Sequence, residues 1–406
     1  MRVLGLICCL LLLTMGLAQA ADTIKVGFVD DFSGRASENS KAGIRGWRIV
    51  VDEFNARGGL HGRKIETILG DDKFDPKLSP VVAERLIEEN KVDFLAGTSN
   101  SDCALAVSEV AKKHKKVFII HVSRTSKATN ELGHDYVFRA CYNTEIEGRS
   151  GAKYAVHKGY RQWFIVGEDY GFGRAFMSTL WSSLQKLNPN VQKVGEIWVK
   201  LGTKDYEPVI REIMEKKPSA VAAAFGSSGK IAFTKQAKQA GLFDKTSVFM
   251  TQMADASTIQ ALEGDIPLRR AFGSAAYLSY YPKTEANKSF VQKYAELAKA
   301  DGQTEPCLPN YTAFHGYCCA KFLTEAIIKA QSTETHKVMN ALKGLTVDTP
   351  VGPMTIRACD NQAMAPVFWG ELRKLEGFTQ PVIDPPYVVG AEQVMSSCDE
   401  VLGSRK

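Results

Sequence analysis

The chain has 406 residues, 51 basic and 45 acidic, for a net charge of +6, with 45% hydrophobic and 24% charged residues. That composition is globular; it excludes collagen-like, coiled-coil and disordered classes and leaves room for two or three domains. The charges are dispersed without a long run of either sign, so there is no polyanion footprint and no nucleic-acid partner is expected.

Residues 1–20 read as a secretory leader: Arg2, the apolar run Val3 to Leu17, then Ala18-Gln19-Ala20 as the cleavage site. The apolar run is shorter than the ~20 residues a bilayer core needs, so a cleaved peptide fits better than an anchor. Two of the nine cysteines leave with it. Cys103, Cys141, Cys307, Cys318, Cys319, Cys359 and Cys398 remain in a disulfide-permissive compartment, and we expect Cys359 to pair with Cys398. Cys318 and Cys319 are neighbours in a helical pattern, where one should face the core. The histidines are scattered singly, so no metal site and no cofactor is expected.

From residue 24 onward, short β-rich runs alternate with amphipathic stretches. Ile24 to Val29, Lys64 to Leu69, Val92 to Ala96, Val117 to His121, Trp163 to Val166, Val194 to Val199, Ala220 to Phe225 and Val248 to Met250 read as strands, several too apolar to have a solvated face. Between them, helical periodicity covers Ala42 to Asn55, Pro80 to Asn90, Cys103 to His114, Glu147 to His157, Gly173 to Leu187, Tyr206 to Lys216 and Gly229 to Ala240. Gly58 and Gly59 follow the first helix where a cap wants positive φ. The rhythm breaks at Ala140 to Thr144 and again at Ala276 to Pro282. Helices then follow over 286–300, 313–330 and 335–342, and a β-rich tail carries Val351 to Ile356 and Val367 to Leu372. Alternation of this kind predicts doubly wound parallel sheets, and the two breaks predict a chain that crosses between two lobes.

Ligands in such sheets bind beyond the carboxyl ends of the strands. Six polar loops follow strands there: 30–39, 97–102, 121–126, 167–173, 226–229 and 251–257. Each leads into a helix, so amide groups converge on one crevice. For any single loop, helix capping is a sufficient account; six together point to a site.

Ile24-Lys25-Val26-Gly27, Ser33-Gly34, Phe54 to Lys64 with its paired glycines, Asp71-Asp72 with Asp75-Pro76, Asp169 to Gly173 and Lys238 to Leu242 together resemble the branched-chain amino acid branch of solute-binding proteins that serve ATP-driven importers. The resemblance spans nearly all of the mature chain. It implies a type I periplasmic binding fold, two α/β lobes joined by three crossing strands, a ligand held between them, and hinge closure. Lobe 1 is expected over 22–142 and 278–345 and lobe 2 over 143–277 and 346–406. A periplasmic monomer that docks on a membrane permease complex is implied.

The resemblance also places ligand contacts. The loop Ser33 to Asn39 lines the mouth, with Asn39 on the ligand, and Ser99, Asn100, Ser101 with Ser123, Arg124, Thr125 hold its carboxylate. Tyr170 and Phe172 belong to the second lobe, where Phe172 stands at a common Tyr position, and Ser227 falls at another ligand-facing site. In the loop Thr251 to Asp255, Met253 matches the Glu that pairs a ligand's ammonium, with Gln252 and Asp255 beside it. Losing that partner costs roughly 3–5 kcal/mol, so an α-amino acid is disfavoured unless Asp255 turns inward. His121, as a second cation, and Arg139, at the first crossing, lean toward a carboxylate, although His121 also fits a core histidine and Arg139 an ion pair with Glu145 or Glu147. The expected ligand is a small amino acid or an organic carboxylate, and these residues lean toward an apolar acid that an aromatic ring would suit.

An enzyme is not expected. Gly171 and Gly173 lack the third glycine of a dinucleotide loop, Gly226 to Lys230 is too short for a phosphate loop and Ile231 replaces its hydroxyl residue, and no G-x-S-x-G elbow occurs. The alternative is the ligand-sensing module of a receptor or regulator.

Overall fold

The computed structural model describes residues 23–304 and 307–405. The leader expected over 1–20 lies outside them. Among the described residues no helix is long and apolar enough to cross a membrane.

The first sheet is built from β1 (Ile24–Asp30), β2 (Ile65–Asp71), β3 (Phe94–Gly97), β4 (Phe118–Ile120) and β5 (Val137–Arg139), all parallel in the order β2-β1-β3-β4-β5. Side chains alternate across it: Ile24, Val26 and Phe28 enter one core, and Val29, Leu95 and Phe118 the opposite one. Helices α2 (Leu78–Glu88) and α3 (Ser101–Lys113) cover the second face, which explains why the inner strands β1, β3 and β4 have no solvated side. The first face is covered by α1 (Ser37–Ala56), which begins five residues before the apolar stripe suggests. Gly58 and Gly59 after it take φ of +95° and +67°, as a helix exit at that point requires.

The second sheet runs β14-β13-β10-β9-β8-β6-β7. Its parallel part is β6 (Gln162–Glu168), β7 (Gln192–Val199), β8 (Ala220–Ala224), β9 (Ser247–Met250) and β10 (Ala271–Ala275). Strands β13 (Val367–Glu371) and β14 (Tyr387–Val389) add antiparallel edges. Helices α4 (Thr144–Lys158) and α5 (Gly171–Leu187) pack on one face, and α6 (Glu207–Lys216) and α7 (Ser227–Gln239) on the other. The buried Trp369 donates its indole N–H to Ser150 at 2.9 Å, tying β13 to α4.

Between the sheets the chain crosses three times, at 140–143, 276–284 and 356–366. The first two crossings are the rhythm breaks of the sequence. After the second, α8 (Leu242–Lys245) and α9 (Ala256–Leu262) are already behind, and α10 (Glu285–Ala300) and α11 (Tyr311–Ala330) return to the first lobe. There α11 lies against α1 so closely that a Cβ on Gly46 would sit 1.8 Å from the carbonyl oxygen of Ala313. Helix α12 (Thr335–Leu342) and the hairpin β11 (Thr346–Thr349) with β12 (Gly352–Thr355) pack beside α11, so this hairpin stands with the helices of the first sheet and the chain rejoins the second sheet only at β13. Both Cys318 and Cys319 are buried, not one of them, because α11 is covered on both sides: Cys319 donates toward the carbonyl of Ile119 and Cys318 faces Met354. A disulfide joins Cys359 to Cys398 in the last helix, α13 (Cys398–Ser404), as the sequence led us to expect.

Candidate functional site: an interlobe cavity around Arg124

In the first sheet the strand order reverses between β1 and β3, and in the second between β6 and β8. A doubly wound sheet opens a crevice at such a point. The two crevices face one another and enclose a cavity of about 130 Å³.

From the first lobe the cavity is lined by Arg35, Ala36 and Asn39 after β1, Phe74 after β2, Ser99 to Asp102 after β3, and Val122 and Arg124 after β4. The second lobe contributes Tyr170, Gly171 and Phe172 after β6, Leu201 after β7, Phe225 to Ser228 after β8 and Gln252 after β9; Tyr311, at the start of α11, closes one wall. Nine of the fourteen residues expected at the site therefore line it: Asn39, Ser99, Asn100, Ser101, Arg124, Tyr170, Phe172, Ser227 and Gln252.

The other five stand behind the walls. Ser123 is buried and bonds the carbonyls of Thr98 and Asn100, each at 2.8 Å, and the Thr125 amide donates to Ser101 Oγ at 3.2 Å; both brace loops that line the cavity. Met253 is in the core of the second lobe, its sulfur 3.9 Å from Thr234 Oγ1, so it faces no ligand space. Asp255 is buried as the cap of α9, accepting from the Ser257 amide and hydroxyl and from the Tyr311 amide at 3.0 Å. It does not turn inward.

His121 takes the core reading. It is fully buried against Phe28, its Nε2 3.3 Å from Asp30 Oδ2, and burial pulls its pKa down to about 4 while burial pushes Asp30 up to about 6. A neutral imidazole beside the carboxyl is the result, not a second cation. Asp30 in turn accepts from the amide and hydroxyl of Ser99, at 2.9 and 3.1 Å, and so fixes the loop after β3. Arg139 pairs with neither Glu145 nor Glu147. Its guanidinium donates to the carbonyls of Ser123 and Thr125, at 2.8 and 2.6 Å, holding the loop that carries Arg124.

Arg124 is the centre of the arrangement. It is buried, its guanidinium lies 4.6 Å from the Tyr142 ring and 5.0 Å from the Tyr311 ring, and Nη1 donates to Glu147 Oε2 at 3.0 Å. Glu147 comes from α4, beyond the first crossing, and also accepts from Ser274 Oγ at 2.9 Å. The Gln252 amide faces Arg124 from the second lobe, and its oxygen, turned as the neighbouring donors require, accepts from the guanidinium. Contacts from both lobes thus meet on one cation.

Aromatic and aliphatic side chains make up the rest: Phe74, Val122, Phe225 and Tyr311 with Tyr170 and Phe172, whose rings are 5.9 Å apart. The lining acid among the described residues is Asp102, which is exposed. Helix α3 enters the cavity by its N-terminus with Asn100 as cap, while α5 and α7 enter with no side-chain cap, so amide dipoles favour negative charge inside. Phe74, Phe225 and Tyr311 were not singled out in the sequence. Phe74 sits within the Asp71 to Pro76 motif, but Tyr311 arrives from a segment 191 residues downstream of the end of β4, a proximity that spacing does not encode.

Two α/β lobes, three crossings and a polar cavity at facing switch points define a cleft-type binding protein. The chain belongs to the periplasmic binding protein family, whose pattern it matches over residues 23–376. Among curated relatives, the leucine-specific-binding protein of Salmonella typhimurium is 23% identical over 362 residues, 88% of this chain and 89% of the relative. A solute-binding protein of an ABC transporter from Rhodopseudomonas palustris BisB5, in complex with 3,4-dihydroxybenzoic acid, superposes with a TM-score of 0.81 at 22% identity, over 91% of this chain and 98% of its own. Another from R. palustris, in complex with benzoate, gives 0.79 at 20% identity, over 91% and 97%. As a member of that family the chain is a binding protein and not an enzyme.

Proposed function

We propose that the protein is exported, captures a small organic carboxylate with a single aromatic ring between its lobes, and delivers it to a membrane ABC permease. The observation that carries this reading is the charge content of the cavity. It offers a buried arginine and helix N-termini to an anion, and no buried acid to an ammonium among the described residues. Met253 stands where a carboxylate would have met an amine and is in the core, and Asp255, the acid beside it, is committed to the Tyr311 amide.

Size and lining agree with one ring. An apolar cavity of about 150 Å³ holds benzene, close to the volume between these lobes. Arg124 would take the carboxylate with charge-assisted hydrogen bonds, and Ser99, Asn100 and Ser101 are within the same wall. The aromatic side chains then meet the ring. Two neighbours of the same fold hold benzoic acids, whereas the leucine-specific relative supports an amino acid instead.

A thermal-shift panel of the purified mature chain distinguishes the two. Benzoate and hydroxybenzoates are expected to raise the midpoint, and leucine, isoleucine and valine to leave it unchanged. A shift with the amino acids alone overturns the reading.

A further inference from the structure

Lys230 lies in the first turn of α7, two residues after the cavity-lining Ser228, yet its side chain is only 2% exposed. An ammonium brings three donors. Here Nζ has one acceptor, the main-chain carbonyl of Gln252 at 3.4 Å, and no ion pair within 4.0 Å joins it to a carboxylate among the described residues. A buried charge so poorly served is costly unless something compensates it.

The charged groups that face it are Asp255, Arg124 and Glu147. Asp255 is committed to the Tyr311 amide and Ser257, and Glu147 to Arg124, Ser274 and Tyr142. Two cations, Arg124 in the wall and Lys230 behind it, therefore oppose the two acids before any ligand arrives. An incoming carboxylate makes the group net negative, and of the two cations the ammonium alone can exchange a proton in the working range.

We propose that Lys230 sets the site's affinity for anions from behind the wall: the bound carboxylate keeps the Lys230 ammonium protonated, so capture of the acid and protonation of Lys230 are coupled. The proposal rests on the carboxylate reading above. No covalent bond changes; the ligand enters as its anion and the proton comes from solvent. Burial lowers the Lys230 ammonium to about 8, which puts the effect on the alkaline side of neutrality. Below that point the free protein already carries the charge. Above it the free lysine is neutral, and binding must bring a proton in.

The test is calorimetric titration of the whole mature chain with benzoate, at pH 7 and pH 9.5, in pairs of buffers that differ in ionisation enthalpy. Wild type should bind at pH 7, take up a fraction of a proton at pH 9.5, and bind there about sevenfold more weakly, the weakening expected if occupancy raises the lysine by one pH unit. Lys230→Arg, permanently charged, should bind equally at both pH values with no uptake. Lys230→Met should bind more weakly at pH 7 and also show no uptake. Benzoate binding by wild type at pH 7 with no proton uptake at pH 9.5, or uptake that persists in Lys230→Arg, overturns the coupling alone. No binding by wild type at pH 7 overturns the carboxylate reading with it.

Discussion

At the scale of single residues, Arg124 and Glu147 carry opposite consequences. Arg124→Met removes the ligand's charge partner and strands a buried carboxylate. Affinity for benzoate should fall by about 100-fold, since a charge-assisted hydrogen bond contributes roughly 1.5–3 kcal/mol, and stability by about 3–5 kcal/mol because Glu147 is left unpaired. Adding Glu147→Gln should restore much of the stability and none of the binding. Denaturant titration and calorimetry on the three proteins separate these effects.

The Asp30 and His121 pair makes a second prediction, on pH. His121 titrates at about 4 in the folded chain against 6.5 unfolded, so its contribution is lost as pH falls toward 4. Asp30 is raised to about 6 from 3.8, so its contribution is present at low pH and lost as pH rises through 6. The two nearly cancel in wild type. In Asp30→Asn the histidine limb stands alone, and stability should drop by about 3 kcal/mol between pH 6.5 and pH 4, measured as unfolding midpoints across that range; a drop no steeper than wild type contradicts the assignment.

Residue identity in this region was only partly legible. Strand patterning marked the loops after β3 and β4 as candidates, and the family resemblance singled out Ser99 to Ser101 and Arg124 within them. Which side chains of a loop face inward could not, and so Ser123, Thr125 and Met253 fell behind the wall.

At the scale of elements, the rhythm of strand and helix was readable because the central parallel strands are covered on both faces and read as apolar runs, while the edge strands β2 and β7 keep exposed positions. Strands β5 and β10 were not readable. At three and five residues they are short, and each runs straight into a crossing, so no turn signal frames it. The contact of α1 with α11 was equally hidden, since it joins segments over 250 residues apart. It is also demanding: Gly43, Gly46 and Gly316 let the two backbones touch. Gly46→Ala should therefore cost about 1–3 kcal/mol, the usual range for overpacking, and should weaken benzoate binding because α11 carries Tyr311 into the cavity. Chemical denaturation with parallel titration checks both, using Gly264→Ala, whose Cβ meets nothing within 4 Å, as the control.

At the scale of the whole molecule, the C-terminal segment ties distant parts together. Arg149 of α4 donates to the Val394 carbonyl and Ser396 Oγ, Arg357 of the third crossing donates to the Ser396 carbonyl, and Arg405 reaches the Thr129 carbonyl in the first lobe. The disulfide fixes this segment to the third crossing across 39 residues. Replacing both cysteines by serine should lower stability by about 2–4 kcal/mol while leaving benzoate affinity unchanged, because no atom of the segment lines the cavity.

The account depends most on a cleft that accepts an acid and, among the described residues, lines its wall with no buried carboxylate for an amine. Titration of the same preparation with benzoate and with leucine, each followed to saturation by calorimetry, measures this directly. The account predicts one benzoate per chain with micromolar affinity and no heat from leucine; micromolar leucine binding with benzoate silent would contradict it.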